Sequence, residues 1–243
     1  MALNELIEQL RARRLKEVSQ HKTRRKDHYT LPPKQVEDEH VGEIEALRTK
    51  AEVYRRLLER YAETIGPFEE KTIPELKALV SPEDEAVDRV KAKIFSELRE
   101  EKGAAWEYSP KEFHSFMEKA LAYCKNLKPV NAELSISYWL SPKEMVELGA
   151  ADAFDKAVFL CSLLISAGGN AKVRVVQLQG GEKRPLVIVS QENAVFVLDP
   201  SGEAKPVRAN EEEKALGEYS SDGKTIAKSI YEFNNADYAD FEE

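Results

Sequence analysis

The stretch that decides the fold reads Gly149-Ala-Ala-Asp-Ala-Phe-Asp-Lys-Ala-Val-Phe-Leu-Cys-Ser-Leu-Leu-Ile-Ser-Ala-Gly-Gly169. From about Asp152 it is apolar nearly all round, which predicts a helix buried in a core. The Gly pair at 168–169 ends that helix. The residues that follow change to Val-rich segments with the period of strands, namely Ala171–Leu178, Leu186–Ser190, Ala194–Leu198 and, as a possible last strand, Ser229–Phe233. The sequence therefore predicts a buried helix packed on an antiparallel sheet.

Upstream of this stretch the sequence predicts further helices. Capping boxes at Ser109–Glu112 and Ser141–Glu144 each begin one. The segment Ser81–Asp84 begins another, whose apolar face is Val87, Val90, Ile94 and Leu98. A heptad spacing from Ile44 to Ile65 predicts a helix that pairs with it as an antiparallel hairpin. The predicted fold class is α+β: a helical N-terminal half, then a core in which the buried helix lies on the sheet.

Charge divides the chain into unequal parts. The net charge is −8, yet residues 1–33 carry +4 and the remainder carries −12. Pro32–Pro33 ends this basic arm. We therefore expect an arm at 1–33, a helical hairpin at 34–103 and a C-terminal domain at 104–243. The eight bases of the arm are Arg11, Arg13, Arg14, Lys16, Lys22, Arg24, Arg25 and Lys26.

A basic arm on an acidic body suggests an anionic partner for the arm, and a nucleic acid is one such partner. The alternative is an arm that folds back on its own acidic body. Cys124 and Cys161 form neither a disulfide framework nor a metal-ligand pattern. No apolar run is long enough to span a membrane. We expect a cytoplasmic protein without a metal or a cofactor.

Three groups of residues give the chain a family resemblance. They are the run Tyr138–Glu144, the run Gly149–Ala157 with the helix that follows, and the strand that ends Phe196-Val-Leu-Asp-Pro200. Together they resemble the core of the transglutaminase-like superfamily, which has a papain-type cysteine fold. In that family a Gly-Asp-Cys-x-Asp-x-Ala segment places a cysteine at the start of a buried helix. A His on one strand and an Asp at the end of the next complete the site.

The resemblance implies the following correspondence. Ala153 stands at the nucleophile position, Pro185 or Leu186 at the His position, and Asp199 at the Asp position. The four histidines all precede this region. Cys161 is expected in the core with a raised thiol pKa, and His114 on a helix surface. Asp199 is expected to hold a turn through backbone donors.

Two vacant positions predict that the chain is not an enzyme of this class. We accordingly expect a non-catalytic protein-interaction or adaptor module, whose partner is a protein. One alternative is a nucleic-acid-associated protein of DNA repair or RNA biology, by analogy of fold. The other is a cysteine hydrolase or transglutaminase that carries a Cys-to-Ala change at residue 153.

Overall fold

The computed structural model describes residues 42, 44–56, 72–130 and 139–241. The chain divides into two compact units, Met1–Ala46 and Leu47–Glu243. Of the first, only residues 42 and 44–46 are described, and they are helical. The other described residues belong to the second unit. The expected boundaries at residues 33 and 103 stay predictions, because the division in the structure falls after Ala46.

Seven helices lie among the described residues. They are α1 (44–56), α2 (Ile73–Leu79), α3 (Glu85–Lys102), α4 (Phe113–Asn126, after a 3-10 turn at Pro110–Glu112), α5 (Pro142–Leu148), α6 (Ala153–Ser166) and α7 (Glu212–Glu218). None of these helices combines the length and the apolarity needed to cross a membrane.

The ends of the helices follow from local chemistry. Asp84 caps α3 by accepting from the backbone N of Ala86 at 2.7 Å. Ser141 and Glu144 form the predicted capping box of α5. That helix ends at Gly149, whose φ of 60° is left-handed and costs glycine little. The predicted starts of α5 and α6 are therefore confirmed. The cap of α3 is Asp84, three residues after the predicted cap Ser81, but the predicted apolar face of this helix is confirmed and is buried.

Of the predicted heptad seam, Tyr54 is the one described residue that packs against the core, and it is only partly buried. Ile44 and Leu47, at seam positions, are 48% and 59% exposed, whereas Val53, off the seam, is fully buried. Arg56 pairs with Glu147 of α5 at 2.9 Å. Spacing alone identified a helix but not the face that it buries.

The strands are β1 (Lys128–Pro129), β2 (Ala150–Ala151), β3 (Asn170–Leu178), β4 (Lys183–Gln191), β5 (Ala194–Leu198), β6 (Val207–Ala209), β7 (Ser220–Ser221), β8 (Lys224–Phe233) and β9 (Tyr238–Asp240). The main sheet has the order β6-β5-β4-β3-β8-β7, β9 pairs with β8, and every pairing in it is antiparallel. β1 and β2 form a separate parallel pair. The predicted α+β class is confirmed.

The two faces of the main sheet bury separate cores. α6 covers one face, and its apolar side chains cluster with those of α3, α4 and the inward residues of β3 to β5. α7 covers the other face, where Leu186 and Val197 cluster with Ala215 and Tyr219. Sequence patterning did not identify α7, because its seven residues bury only Ala215.

Candidate functional site

The first turn of α6 begins at Ala153, directly after the cap residue Asp152. Asp152 caps the helix, and its carboxylate accepts from the backbone N of Asp155 at 2.7 Å. Ala153 is the first helical residue and is partly buried, whereas the helix is buried from Asp155 to Leu164. A helix N-terminus favours negative charge through its dipole and its unpaired N–H groups. A side chain at residue 153 is thus both reachable and placed where an anion is stabilised.

A short parallel bridge brings the end of α4 to this turn. The backbone N of Lys128 donates to the carbonyl of Gly149 at 2.9 Å, and that of Val130 to Ala151 at 3.2 Å. The chain that leaves α4 therefore lies alongside the residues that lead into α6. This bridge places the carbonyl of Leu127 beside the first turn of the helix.

Lys156 occupies this junction. The residue is only 4% exposed, and its Nζ donates to the carbonyl O of Leu127 at 2.6 Å. Burial lowers the pKa of Lys156, and the nearby Cys124 and Asp199 act in the opposite direction. Sequence reasoning missed this residue. The signal was present, because a lysine inside an otherwise apolar helix is uncommon.

Asp199 holds the turn after β5, as predicted. Its carboxylate accepts from the backbone N of Ser201 and of Gly202, each at 2.9 Å. The other carboxylate oxygen accepts from the hydroxyl of Tyr219 at 2.7 Å. Burial and the Asp199 charge raise the pKa of Tyr219. These contacts direct the Asp199 side chain towards the α7 face of the sheet.

The strand position beside Asp199 is filled by an arginine. A guanidinium N of Arg184 lies 3.7 Å from the Asp199 carboxylate. Leu186, expected at the His position, is fully buried in the α7-face core with Tyr219. Pro185 alternates to the α6 face, as Val187 does. The structure thus brings Asp199 together with Arg184 and Tyr219, and places Leu186 on the face opposite α6.

Neither the two cysteines, which are buried, nor His114, which is distant, is placed to act at residue 153. Cys124 and Cys161 are fully buried, and burial raises the pKa of both, as expected for Cys161. His114 is half exposed and lies beside Phe196. The ring of its neighbour Phe113 packs next to Gly169, which lies just past the C-terminal end of α6. Fourteen residues of helix separate the two ends by roughly 20 Å, so His114 does not serve residue 153.

A cavity of about 300 Å³ lies on the α3 side of α6. It is lined by Ala78, Leu79, Ser81, Asp84, Trp139, Leu140, Ser141, Pro142, Asp155 and Val158. Asp155 is 2% exposed and accepts from the backbone N of Leu140 at 3.2 Å. Trp139 packs edge-on against Phe154. The lining of the cavity is about equally polar and apolar, and it includes the carboxylates of Asp84 and Asp155.

Two further expectations concern the basic arm and metal binding. The eight bases of the arm, Arg11 to Lys26, precede the first described residue. Across residues 42, 44–56, 72–130 and 139–241, no group of three His, Cys, Asp or Glu side chains is placed to hold a metal ion.

The chain is similar to solved structures at low sequence identity. These are structures of Legionella pneumophila LapG. The calcium-bound form is 15% identical with a TM-score of 0.45, and the match covers 68% of this chain and 90% of that chain. The EGTA-treated form is 14% identical with a TM-score of 0.41, covering 65% and 86%. A third LapG structure is 16% identical with a TM-score of 0.43, and the match covers 64% of this chain and 87% of that chain. No family model and no curated protein matches the chain.

The prediction that the chain is not an enzyme is contradicted by this comparison, because LapG is a cysteine protease of the transglutaminase-like fold. The prediction rests on the two vacant positions and on Cys161 and His114 being unsuited to fill them, and it does not consider Lys156. We do not carry it further. The likeness to LapG is one of fold at low identity. The adaptor role stays a prediction.

Proposed function

We propose that the first turn of α6 is the reaction centre of a cysteine hydrolase or acyl-transfer enzyme of the transglutaminase-like class. In this proposal Ala153 occupies the nucleophile position, and the sequence is a Cys-to-Ala form of such an enzyme. The observation that carries the proposal is the placement of residue 153. It is the first residue of a buried helix, it is partly exposed, and its helix is capped by Asp152.

The chemistry that this placement supports is acyl transfer. A thiolate is the reactive form of cysteine, and a helix N-terminus lowers the thiol pKa. The helix dipole that favours a thiolate also favours the oxyanion that forms when an acyl carbon is attacked. Cys124 and Cys161 do not compete for this role, because they are fully buried.

The test is to restore the thiol. In the full chain, Ala153→Cys is expected to release about one equivalent of p-nitrophenolate from p-nitrophenyl acetate in a burst, as the thiol is acylated. The matched control is Ala167→Cys, the same substitution at the C-terminal end of α6, where Ala167 is also partly buried. The control and the native chain should show no burst.

The absence of a burst from Ala153→Cys in folded protein would contradict the proposal. A burst of equal rate from Ala167→Cys would also count against it, because the effect would then belong to any half-buried thiol on this helix.

For the N-terminal arm we propose an anionic partner on the ground of its charge, +4 against −12 for the rest of the chain. The full chain is expected to bind labelled duplex DNA at low salt, and log K should fall with log salt at a slope of about −4 to −5 if about five phosphates are neutralised. A chain that begins at Lys34 should lose this binding. Equal binding by the two chains would move the site away from the arm.

A further inference from the structure

Lys156 is a buried amine one helical turn from residue 153. Residues three apart on a helix have neighbouring side chains, with about 5 to 6 Å between their Cβ atoms. Long side chains on a helix also lean towards its N-terminus, over the preceding turn. The side chain of Lys156 therefore runs back towards the turn that carries Ala153.

The contacts of the amine agree with that direction. Its Nζ donates to the carbonyl of Leu127, in the segment that the parallel bridge holds beside residues 149–151. Among the described residues, no carboxylate lies within ion-pair distance of this amine. That sets Lys156 apart from Arg174, another largely buried cation, which pairs with both Glu212 and Glu232.

We propose that Lys156 is the general base for a nucleophile at residue 153 and takes the part that the histidine plays elsewhere in the superfamily. This inference rests on the proposed function and deepens it, because it supplies the base that the strand position lacks.

The step is a proton transfer within the first turn of α6. In the Ala153→Cys chain, the neutral amine of Lys156 takes the proton of the thiol, which leaves an ammonium beside a thiolate. The thiolate forms an S–C bond with the acyl carbon of an ester or amide. As the bond to the leaving oxygen or nitrogen breaks, the ammonium returns its proton to that atom. Water then cleaves the thioester, and the amine again accepts and returns the proton.

The surroundings of Lys156 suit this step. Burial lowers its pKa, which favours the neutral amine that a base requires. The titratable groups that face it from other elements are Cys124 on α4 and Asp199 after β5, and both favour the charged form. At the start of α6, Asp152 is the cap residue and Asp155 lies in the first turn. Asp199 therefore favours the protonated form of Lys156 through its charge and not through a hydrogen bond.

The test measures the acidity of the introduced thiol with and without the amine. In the full chain, the rate of alkylation by iodoacetamide is followed against pH for Ala153→Cys and for Ala153→Cys combined with Lys156→Met. We expect the inflection to lie lower with Lys156 than with Met, by about one pH unit, and the rate at pH 7 to be several-fold higher.

Lys156→Arg separates charge from proton transfer. An arginine keeps a positive charge but does not accept a proton near neutral pH. Combined with Ala153→Cys, it is expected to keep the thiol acidic while the turnover that follows the p-nitrophenyl acetate burst is lost. Turnover equal to that with Lys156 would overturn the role as base.

The outcomes distinguish this inference from the proposed function. If the inflection pH of the thiol is lowered equally with Lys and with Met at residue 156, the inference is overturned. The helix N-terminus is then the cause of the lowered value. An ordinary inflection near about 8.5 in Ala153→Cys contradicts the proposed function itself.

Should Lys156→Met prevent folding, a titration of the lysine side chains by NMR decides the matter without it. A thiolate at residue 153 must raise the pKa of Lys156 by the amount that Lys156 lowers that of the thiol. An unchanged Lys156 titration between the native chain and Ala153→Cys would overturn the inference.

Discussion

The two faces of the main sheet bury charge in different ways. On the α7 face, Arg174 pairs with Glu212 and Glu232, and Asp199 is held by Arg184 and Tyr219. On the α6 face, Lys156 has a backbone carbonyl as its hydrogen-bond partner. Charges that neutralise one another fix the fold, whereas a buried amine with a neutral partner is free to exchange a proton. By this comparison the ion pairs of the α7 face have a structural role, and the chemistry that we propose lies on the α6 face.

The largest expected effect tests the structural role of the α7 face. Asp199→Ala removes the acceptor of four donors and leaves the Arg184 guanidinium without its acid. We expect a loss of about 3 to 5 kcal/mol in the free energy of unfolding, measured with urea. Tyr219→Phe removes one of these hydrogen bonds and should cost about 1 to 2 kcal/mol. A loss under about 1 kcal/mol for Asp199→Ala would show that the carboxylate does not hold this turn.

Gly202 gives a second test of the same turn. A Cβ at this position would collide with the Asp199 carboxylate, which the Tyr219 hydroxyl keeps in place. Gly202→Ala should therefore lower the free energy of unfolding by about 1 to 3 kcal/mol. Gly217→Ala, within α7, is the control, because nothing lies within 4 Å of its added Cβ. It should stabilise the chain by up to about 1 kcal/mol. Equal effects would mean that the carboxylate is free to move.

The smallest expected effect depends on pH. Burial raises the pKa of Glu232, but hydrogen bonds from Lys172 and Arg174 outweigh it and the pKa lies below its usual range. A carboxyl whose pKa is lower in the folded state stabilises the protein above its unfolded pKa of about 4.3. That contribution is lost as the pH falls through the folded value.

Glu232→Gln should accordingly cost about 1 kcal/mol at pH 7, and the difference from the native chain should shrink below about pH 4. Urea titrations of both chains at pH 7, 5 and 3 measure it. A difference that stays constant over this range would show that the charge of Glu232 contributes nothing.

Much of the fold follows from the sequence because its signals are local. Caps such as Asp84 and Asp152 define where helices begin, and the Val-rich period of two defines β3 to β5. The sequence did not predict four elements, because they are short and only partly buried. These are β6, β7, β9 and α7. The heptad seam failed because spacing does not say which side of a helix meets the core, and Val53 rather than Leu47 is buried.

The candidate site was only half predictable. The resemblance located residue 153 and Asp199 along the chain, but a position on a strand does not reveal which face its side chain takes. Leu186 and Asp199 both turn towards α7, which the motif could not indicate. Lys156 is recognisable in the sequence as a lysine in an apolar helix, but its contact with Leu127 is not, because it depends on a bridge between segments about twenty residues apart.

The measurement that tests the central claim most directly compares the two ends of α6. Iodoacetamide alkylation is followed against pH for Ala153→Cys and Ala167→Cys in the full chain, with the native chain, whose two cysteines are buried, as the blank. The account predicts an inflection well below about 8.5 for Ala153→Cys and none below that value for Ala167→Cys. Inflections at about pH 8.5 for both Ala153→Cys and Ala167→Cys would contradict the account.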